Sequence, residues 1–334
     1  MGDGLKKFRW KVEVLLVRFC LFLIPLLPRA IVLTLARGLG HLAYHASGNR
    51  RRIGEANLEL ALGASVDLRE RQKILKRSFA MFATVIFDVF WFTRNPQERL
   101  ADYVRFPKGA LETVGHGPEI FITAHLGNWE VLGQAVANAG LPLHSVAAPL
   151  SNPWLDALFI PSRELTGQRI VSSEGALKSL IRLLRDGQCF AILLDQNTKP
   201  SEGGVFVPFF GVPVPISMSA AILALRTESE IVFGFSLLQK DGSYRVISPR
   251  RIGRDEIARI KSTAGPHAAG RLTQRIAETL ENVVQTHPES WLWSYKRWKH
   301  IAPGHEGDGY PYYAKPLQEN ESAKAEVMTG SSEN

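Results

Sequence analysis

Between residues 119 and 252, short apolar runs of strand length alternate with segments of helical period, and that rhythm leaves few folds open. Residues 119–124 read as a buried strand, 129–139 as a helix closed by Gly140, and 144–148 as a second strand. A helix near 153–166, a short strand at 169–172, a helix at 175–185 stopped by Gly187 and a strong strand at 189–194 repeat the pattern. After a Gly/Pro-rich loop at 199–215 come a helix at 218–226, strands at 231–238 and 244–252, a helix at 268–286 and an aromatic-basic segment at 291–299. Strands that alternate with helices bury both faces of one sheet, so an α/β fold with a mixed sheet flanked by helices is predicted. At 45% hydrophobic and 22% charged, the 334 residues can supply such a core, which excludes global disorder.

The first hundred residues have a different texture and read as helical through 30–49, 57–62 and 68–99, ending at Asn95-Pro96. Residues 1–52 hold ten Lys/Arg against Asp3 and Glu13, an excess equal to the formal +8 of the whole chain. A basic excess beside an apolar segment points to an anionic membrane surface rather than to nucleic acid. That apolar segment, 12–36, is interrupted by Glu13, Arg18, Pro25, Pro28 and Arg29. Its uncharged stretch from Phe19 to Pro28 is about half of the roughly 20 residues that a spanning helix needs. A helix lying in the interface is therefore expected ahead of one that crosses it, with a buried core helix as the weaker alternative. Basic residues flank both sides, so no orientation is selected. No small-x-small cleavage site follows Leu27, and the segment is expected to be retained.

Cys20 and Cys189 alone build neither a disulfide framework nor a cysteine metal site, which fits a reducing compartment. There is no Walker lysine, dinucleotide fingerprint or zinc-type Cys/His spacing, so neither cofactor nor metal is expected. From about residue 303 the chain carries six acidic against two basic side chains and few apolar ones, and a disordered tail is predicted. The expected organisation is a membrane-associated helical segment at 1–50, a catalytic domain at 51–302 and an acidic tail at 303–334.

Chemistry enters at His125 and Glu130. On one continuous helix, five steps would leave the two side chains about 140° apart, so they converge only if His125 precedes the helix. The sequence favours that arrangement: strand 119–124 ends, Gly127 permits a tight turn, Asn128 is a good N-cap, and Glu130 falls in the first turn. A histidine oriented by a carboxylate can take a proton from a hydroxyl, which then attacks a thioester with no Ser or Cys nucleophile.

The stretch His-Leu-Gly-Asn-Trp-Glu at 125–130 resembles the signature of the lipid A biosynthesis late acyltransferases, the lauroyl and myristoyl transferases of the lysophospholipid acyltransferase superfamily. The same form occurs in phosphatidylinositol mannoside acyltransferases. The resemblance continues through Asn57-Leu58, Leu194-Asp195-Gln196, the run at 205–213 and the aromatic-basic run at 291–299, so it covers most of the chain. It implies a glycerolipid acyltransferase-like fold and transfer of an acyl chain from acyl carrier protein, or coenzyme A, to a glycolipid hydroxyl at the cytoplasmic face of the bacterial inner membrane. His125 is then the base and Glu130 its partner. Arg163 matches a family arginine that grips phosphate or stabilises charge, and Asp195 a family acid after the central strand, with Asn128 and Gln196 in support. The apolar loop at 203–215 is a candidate wall for the acyl chain, with ordinary core packing as the alternative, and Trp291, Trp293 and Trp298 among Lys296, Arg297 and Lys299 are candidates for a membrane interface or an anionic head group. Ala124 and Leu126 depart from the Gly and Phe often found there, which leaves acceptor and chain length open; a phosphatidylinositol mannoside or other glycolipid acceptor and an inactive lipid-binding protein are the alternatives.

Overall fold

The computed structural model describes residues 3–307 and 309–317; the remainder of the acidic tail lies outside them. Five helices come first: α1 (Asp3–Leu23), α2 (Arg29–Ala46), α3 (Gly48–Leu62), α4 (Leu68–Trp91) and α5 (Pro96–Tyr103). The predicted helix at 68–99 is in fact two, because Asn95 takes a left-handed conformation (φ 45°) and Pro96 starts a new helix. Gly40 lets α2 lie directly against α4: a Cβ there would sit 2.4 Å from the Ala80 Cα.

The central sheet contains β1 (Glu119–Thr123), β2 (Leu143–Ala147), β3 (Arg169–Ser172), β4 (Cys189–Leu193), β5 (Glu230–Phe233) and β6 (Arg251–Ile252), in the spatial order β6-β5-β1-β4-β2-β3. Five strands are parallel and edge strand β6 is antiparallel, so the sheet is mixed. Connecting and covering helices are α6 (Trp129–Asn138), α7 (Pro153–Glu164), α8 (Ala176–Arg185), α9 (Ser219–Thr227), α10 (Arg254–Ala264) and α11 (Ala268–Thr286).

Because strand side chains alternate, each face of the sheet has its own fate. Ile120, Ile122, Phe190, Ile231 and Phe233 point into a dry core with Leu180 of α8, Leu223 of α9 and Ile276 of α11. Phe121, Thr123, Ala191, Leu193 and Val232 point the other way, into a cavity of about 460 Å³ roofed by α6. A second core joins α4 and α6 to the N-terminal helices through Val32, Met81, Val85, Trp91 and Val131.

Three expectations are corrected. The Gly/Pro-rich loop is a β-hairpin, Gly204–Phe209 against Val212–Ser217, and Val207, Phe209, Val214 and Ile216 fill the core, so it does not wall the cavity. Trp291, Trp293 and Trp298 are at most 2% exposed, Trp291 and Trp298 packing against Phe209 and Trp293 against Trp291, so this segment is core rather than a membrane surface. The chain also stays ordered past residue 303: Lys315–Pro316 pairs with His300–Ile301, and buried Tyr313 hydrogen-bonds Asn57.

In the N-terminal pair, Val32, Leu33 and Ala36 of α2 are buried, while α1 exposes Leu5, Phe8, Val12, Leu15, Phe19 and Phe22. Among the described residues no helix is long and apolar enough to cross a membrane.

Candidate active site

Register brings the site together. Thr123 of β1 pairs with Leu193 of β4, so His125 and Asp195, each two residues further on, emerge side by side at the carboxyl ends of adjacent parallel strands. His125 Nδ1 lies 2.8 Å from Asp195 Oδ1, and the His125 amide donates to Asp195 Oδ2 at 2.9 Å. The indole of Trp291 donates to the same Oδ2 at 2.9 Å, so the buried carboxylate has three donors. This assigns the proton of the neutral imidazole to Nδ1 and leaves Nε2, near the Gln196 amide at 3.3 Å, as the basic atom.

Burial pulls the His125 pKa down, but the charge and hydrogen bond of Asp195, with a further contribution from Glu130, outweigh it and the net shift is upward. Burial pushes Asp195 up; the His125 charge and hydrogen bond, the Trp291 indole and the His125 amide reverse that, and its carboxyl ends below the ordinary value.

The loop that carries His125 has little freedom. Gly127 is left-handed (φ +64°), and a Cβ there would stand 1.9 Å from the Ser236 carbonyl, so only glycine fits. Asn128 caps α6, accepting from the Val131 amide at 3.0 Å, while its Nδ2 donates to Asp88 at 2.9 Å and to the Tyr244 hydroxyl at 3.0 Å. Asp88 is itself ion-paired with Arg29 of α2, whose guanidinium faces the Trp91 ring at 4.8 Å. Asn128 thus supports the site from a fully buried position without facing the cavity.

Glu130 stands elsewhere than beside an imidazole nitrogen. Arg163 of α7 holds it by two hydrogen bonds, Nε to Oε2 at 2.8 Å and Nη2 to Oε1 at 2.6 Å. The residue of that first turn which touches the imidazole is Trp129, its ring 4.8 Å away and edge-on. His125, Glu130, Arg163 and Gln196 all line the cavity, together with the apolar faces of β1, β4, β5 and α6. Pattern reading missed the buried group Arg29, Asp88 and Tyr244, and also Trp291 as a donor to Asp195; each is distant in sequence and signalled only by being polar or aromatic among apolar neighbours.

An imidazole that lines a largely apolar cavity and is backed by a buried carboxylate is equipped for general-base chemistry, as in a transferase or hydrolase. The family model described as bacterial lipid A biosynthesis acyltransferase matches residues 4–300, and the chain belongs to that family of acyltransferases. A lipid A biosynthesis acyltransferase of Haemophilus influenzae is 24% identical over 199 residues, 58% of this chain and 61% of that protein, so the match spans less than two thirds of the relative. A lipid A biosynthesis acyltransferase 2 of Shigella flexneri is 24% identical over 308 residues, 91% of this chain and 93% of its own length.

Proposed function

We propose that this protein transfers a fatty acyl chain from the thioester of acyl carrier protein, or of coenzyme A, to a hydroxyl of a lipid A precursor or similar glycolipid. The observation that carries the reading is the His125 imidazole, which is fixed by Asp195 through Nδ1 and lines a largely apolar cavity. Nε2 takes the proton of the acceptor hydroxyl as its oxygen attacks the thioester carbonyl. The tetrahedral intermediate collapses to the ester, and the departing thiolate takes the proton back from the imidazolium. Asp195 stabilises that imidazolium and Glu130 adds to it through space; Asp195 is the orienting carboxylate in place of a His125/Glu130 dyad.

Charge also develops on the thioester oxygen. The amides of His125, Gly127 and Asn128 are committed to Asp195, Ser290 and Ser236, so these three do not supply an oxyanion hole. Gln196 Nε2, close to the reacting nitrogen, is the side-chain donor best placed to do so. Arg163, oriented by Glu130, faces the same space and suits an acidic or phosphorylated substrate.

The exposed apolar stripe of α1, recurring every three or four residues with Lys6, Lys7, Arg9, Lys11 and Arg18 beside it, supports a helix lying in the surface of an anionic membrane, with the site at the cytoplasmic face of the inner membrane. The deciding assay incubates purified full-length protein with lauroyl-acyl carrier protein or lauroyl-coenzyme A and a phosphorylated lipid A precursor. Mass spectrometry should find the acceptor heavier by one acyl group, and release of free fatty acid alone would make the protein a thioesterase instead.

A further inference from the structure

Gln196 is exposed, and the contact of its amide with the imidazole is long, 3.3 Å to Nε2 and 3.5 Å to Nδ1. A side chain of this length samples several rotamers, so where it acts depends on how firmly its backbone is held. The residues on either side supply that hold.

Asp195, before it, accepts from the His125 ring, the His125 amide and the Trp291 indole. Asn197, after it, is also held at three points. Its amide donates to the Tyr295 hydroxyl at 3.1 Å, its Nδ2 donates to the Lys296 carbonyl at 2.9 Å, and its Oδ1 accepts from Arg297 Nη1 at 3.0 Å. The two ends of the side-chain amide face a carbonyl and a guanidinium, so turning it over would set donor against donor and acceptor against acceptor. Arg297 is fully buried, and a hydrogen bond from a charged donor is about twice as strong as a neutral one, so this contact is the firmest of the three.

The partners of Asn197 and the Trp291 indole belong to one stretch, 291–297, which is itself anchored. Asn57 of α3 donates to the carbonyls of Trp293 and Tyr295, both at 2.7 Å, and the Ser78 hydroxyl of α4 donates to that of Trp291. The stretch also reaches the other strand end: the Leu292 amide donates to the His125 carbonyl at 3.1 Å, and the neighbouring Ser290 carbonyl accepts from the Gly127 amide at 2.9 Å. The aromatic-basic run thus clamps together the loops that follow β1 and β4, one bearing the base and the other the glutamine.

We infer that Asn197 is a positioning residue: locked by Tyr295, Lys296 and Arg297, it aims Gln196 at the reacting centre beside His125. This rests on the reading of Gln196 as the donor to the thioester oxygen. The test measures thiol release from lauroyl-coenzyme A and from lauroyl-acyl carrier protein by full-length protein, with and without a phosphorylated lipid A precursor, so that transfer and hydrolysis both register. Gln196→Ala should lower kcat about a hundredfold and Asn197→Ala about tenfold. KM for the donor should stay within about twofold in both, because the contact is made to charge that develops in the transition state. The double variant should lie no more than about twofold below Gln196→Ala, since a residue that acts through Gln196 then has nothing left to aim. A residue that only supports the fold would cost the same factor in either background, and that additive result overturns the inference. Should Asn197→Ala not fold, Tyr295→Phe runs the same cycle: it removes the hydroxyl that takes the Asn197 amide, should cost about fivefold alone, and overturns the inference if that cost persists without Gln196. A Gln196→Ala variant with wild-type kcat removes the donor role and the inference with it, while a wild type that releases no thiol from either donor overturns the thioester reading on which both stand.

Discussion

Asp195 and His125 are 70 residues apart in the chain and 2.8 Å apart in space, and the carboxylate holds both the ring and the amide of the same histidine. Two contacts from one side chain fix the position and the tautomer of the base together. Losing the base removes a contribution of about a hundredfold or more, so His125→Ala should lower kcat by at least that factor in protein that still folds, though with some loss of stability because Asp195 is left without its ring partner. Asp195→Asn should come close to it, and Glu130→Gln should cost less than either, because Glu130 acts on the ring only through space. A larger loss in Glu130→Gln than in Asp195→Asn would return the orienting role to Glu130.

The base must be unprotonated to work. The His125 pKa is raised, so activity should fall as pH drops through a value above the ordinary 6.5. Asp195→Asn removes the anion responsible, and the acidic limb of kcat/KM should move to lower pH. Arg297 offers the opposite change: it is fully buried, its Nε and Nη2 lack partners, and burial lowers its pKa to about 10 against the pull of Asp195 and Tyr295. Its charge offsets part of the Asp195 field at the imidazole, so Arg297→Met should move the limb upward. Limbs that stay put in both variants would assign them to another group.

Much of this site was legible locally. The apolar run at 119–124, the glycine and the N-cap asparagine are short-range signals, and they put His125 at a strand end before a helix. What local spacing could not give was its partner, since Glu130 is near in sequence while the carboxylate that matters follows a strand paired with β1. Strand register decides that, and register is a property of the whole sheet. The tryptophans at 291–298 misled for a related reason: aromatics among cations look alike in a membrane belt and in a core, and only packing against Phe209 and Asp195 distinguishes them.

Membrane binding should reside in the exposed stripe of α1. Each large apolar side chain that inserts contributes about 1.5–3 kcal/mol, so replacing Phe8, Leu15, Phe19 and Phe22 together by Ser should move the protein to the soluble fraction. High salt should not release the wild type, because insertion is insensitive to screening. A quadruple variant that still sediments with membranes would place the binding surface elsewhere.

Removing residues 1–37 outright would give a different result, since it takes Arg29 from Asp88. Both are buried, and breaking a buried ion pair from one side costs about 3–5 kcal/mol. Arg29→Met should therefore lower stability by about that much in chemical denaturation, as should the truncation. A loss under 1 kcal/mol would mean that water reaches Asp88.

Arg163 gives the sharpest separation of roles, because it is already bound by Glu130 through two nearly parallel hydrogen bonds, the geometry that a planar guanidinium makes and an ammonium does not. Arg163→Lys keeps the charge and loses the fork. A hydrogen bond to a charged group contributes about 1.5 kcal/mol, so losing one predicts a decrease in kcat/KM of about tenfold. If the arginine binds a phosphate of the ground-state acceptor, KM for that acceptor should rise and kcat should hold; if it meets charge that develops in transfer, kcat should fall instead. Arg163→Ala should be worse than Arg163→Lys in either case, since it also leaves Glu130 unpaired near His125. Wild-type kinetics in both variants would make the pair a structural tie between α6 and α7.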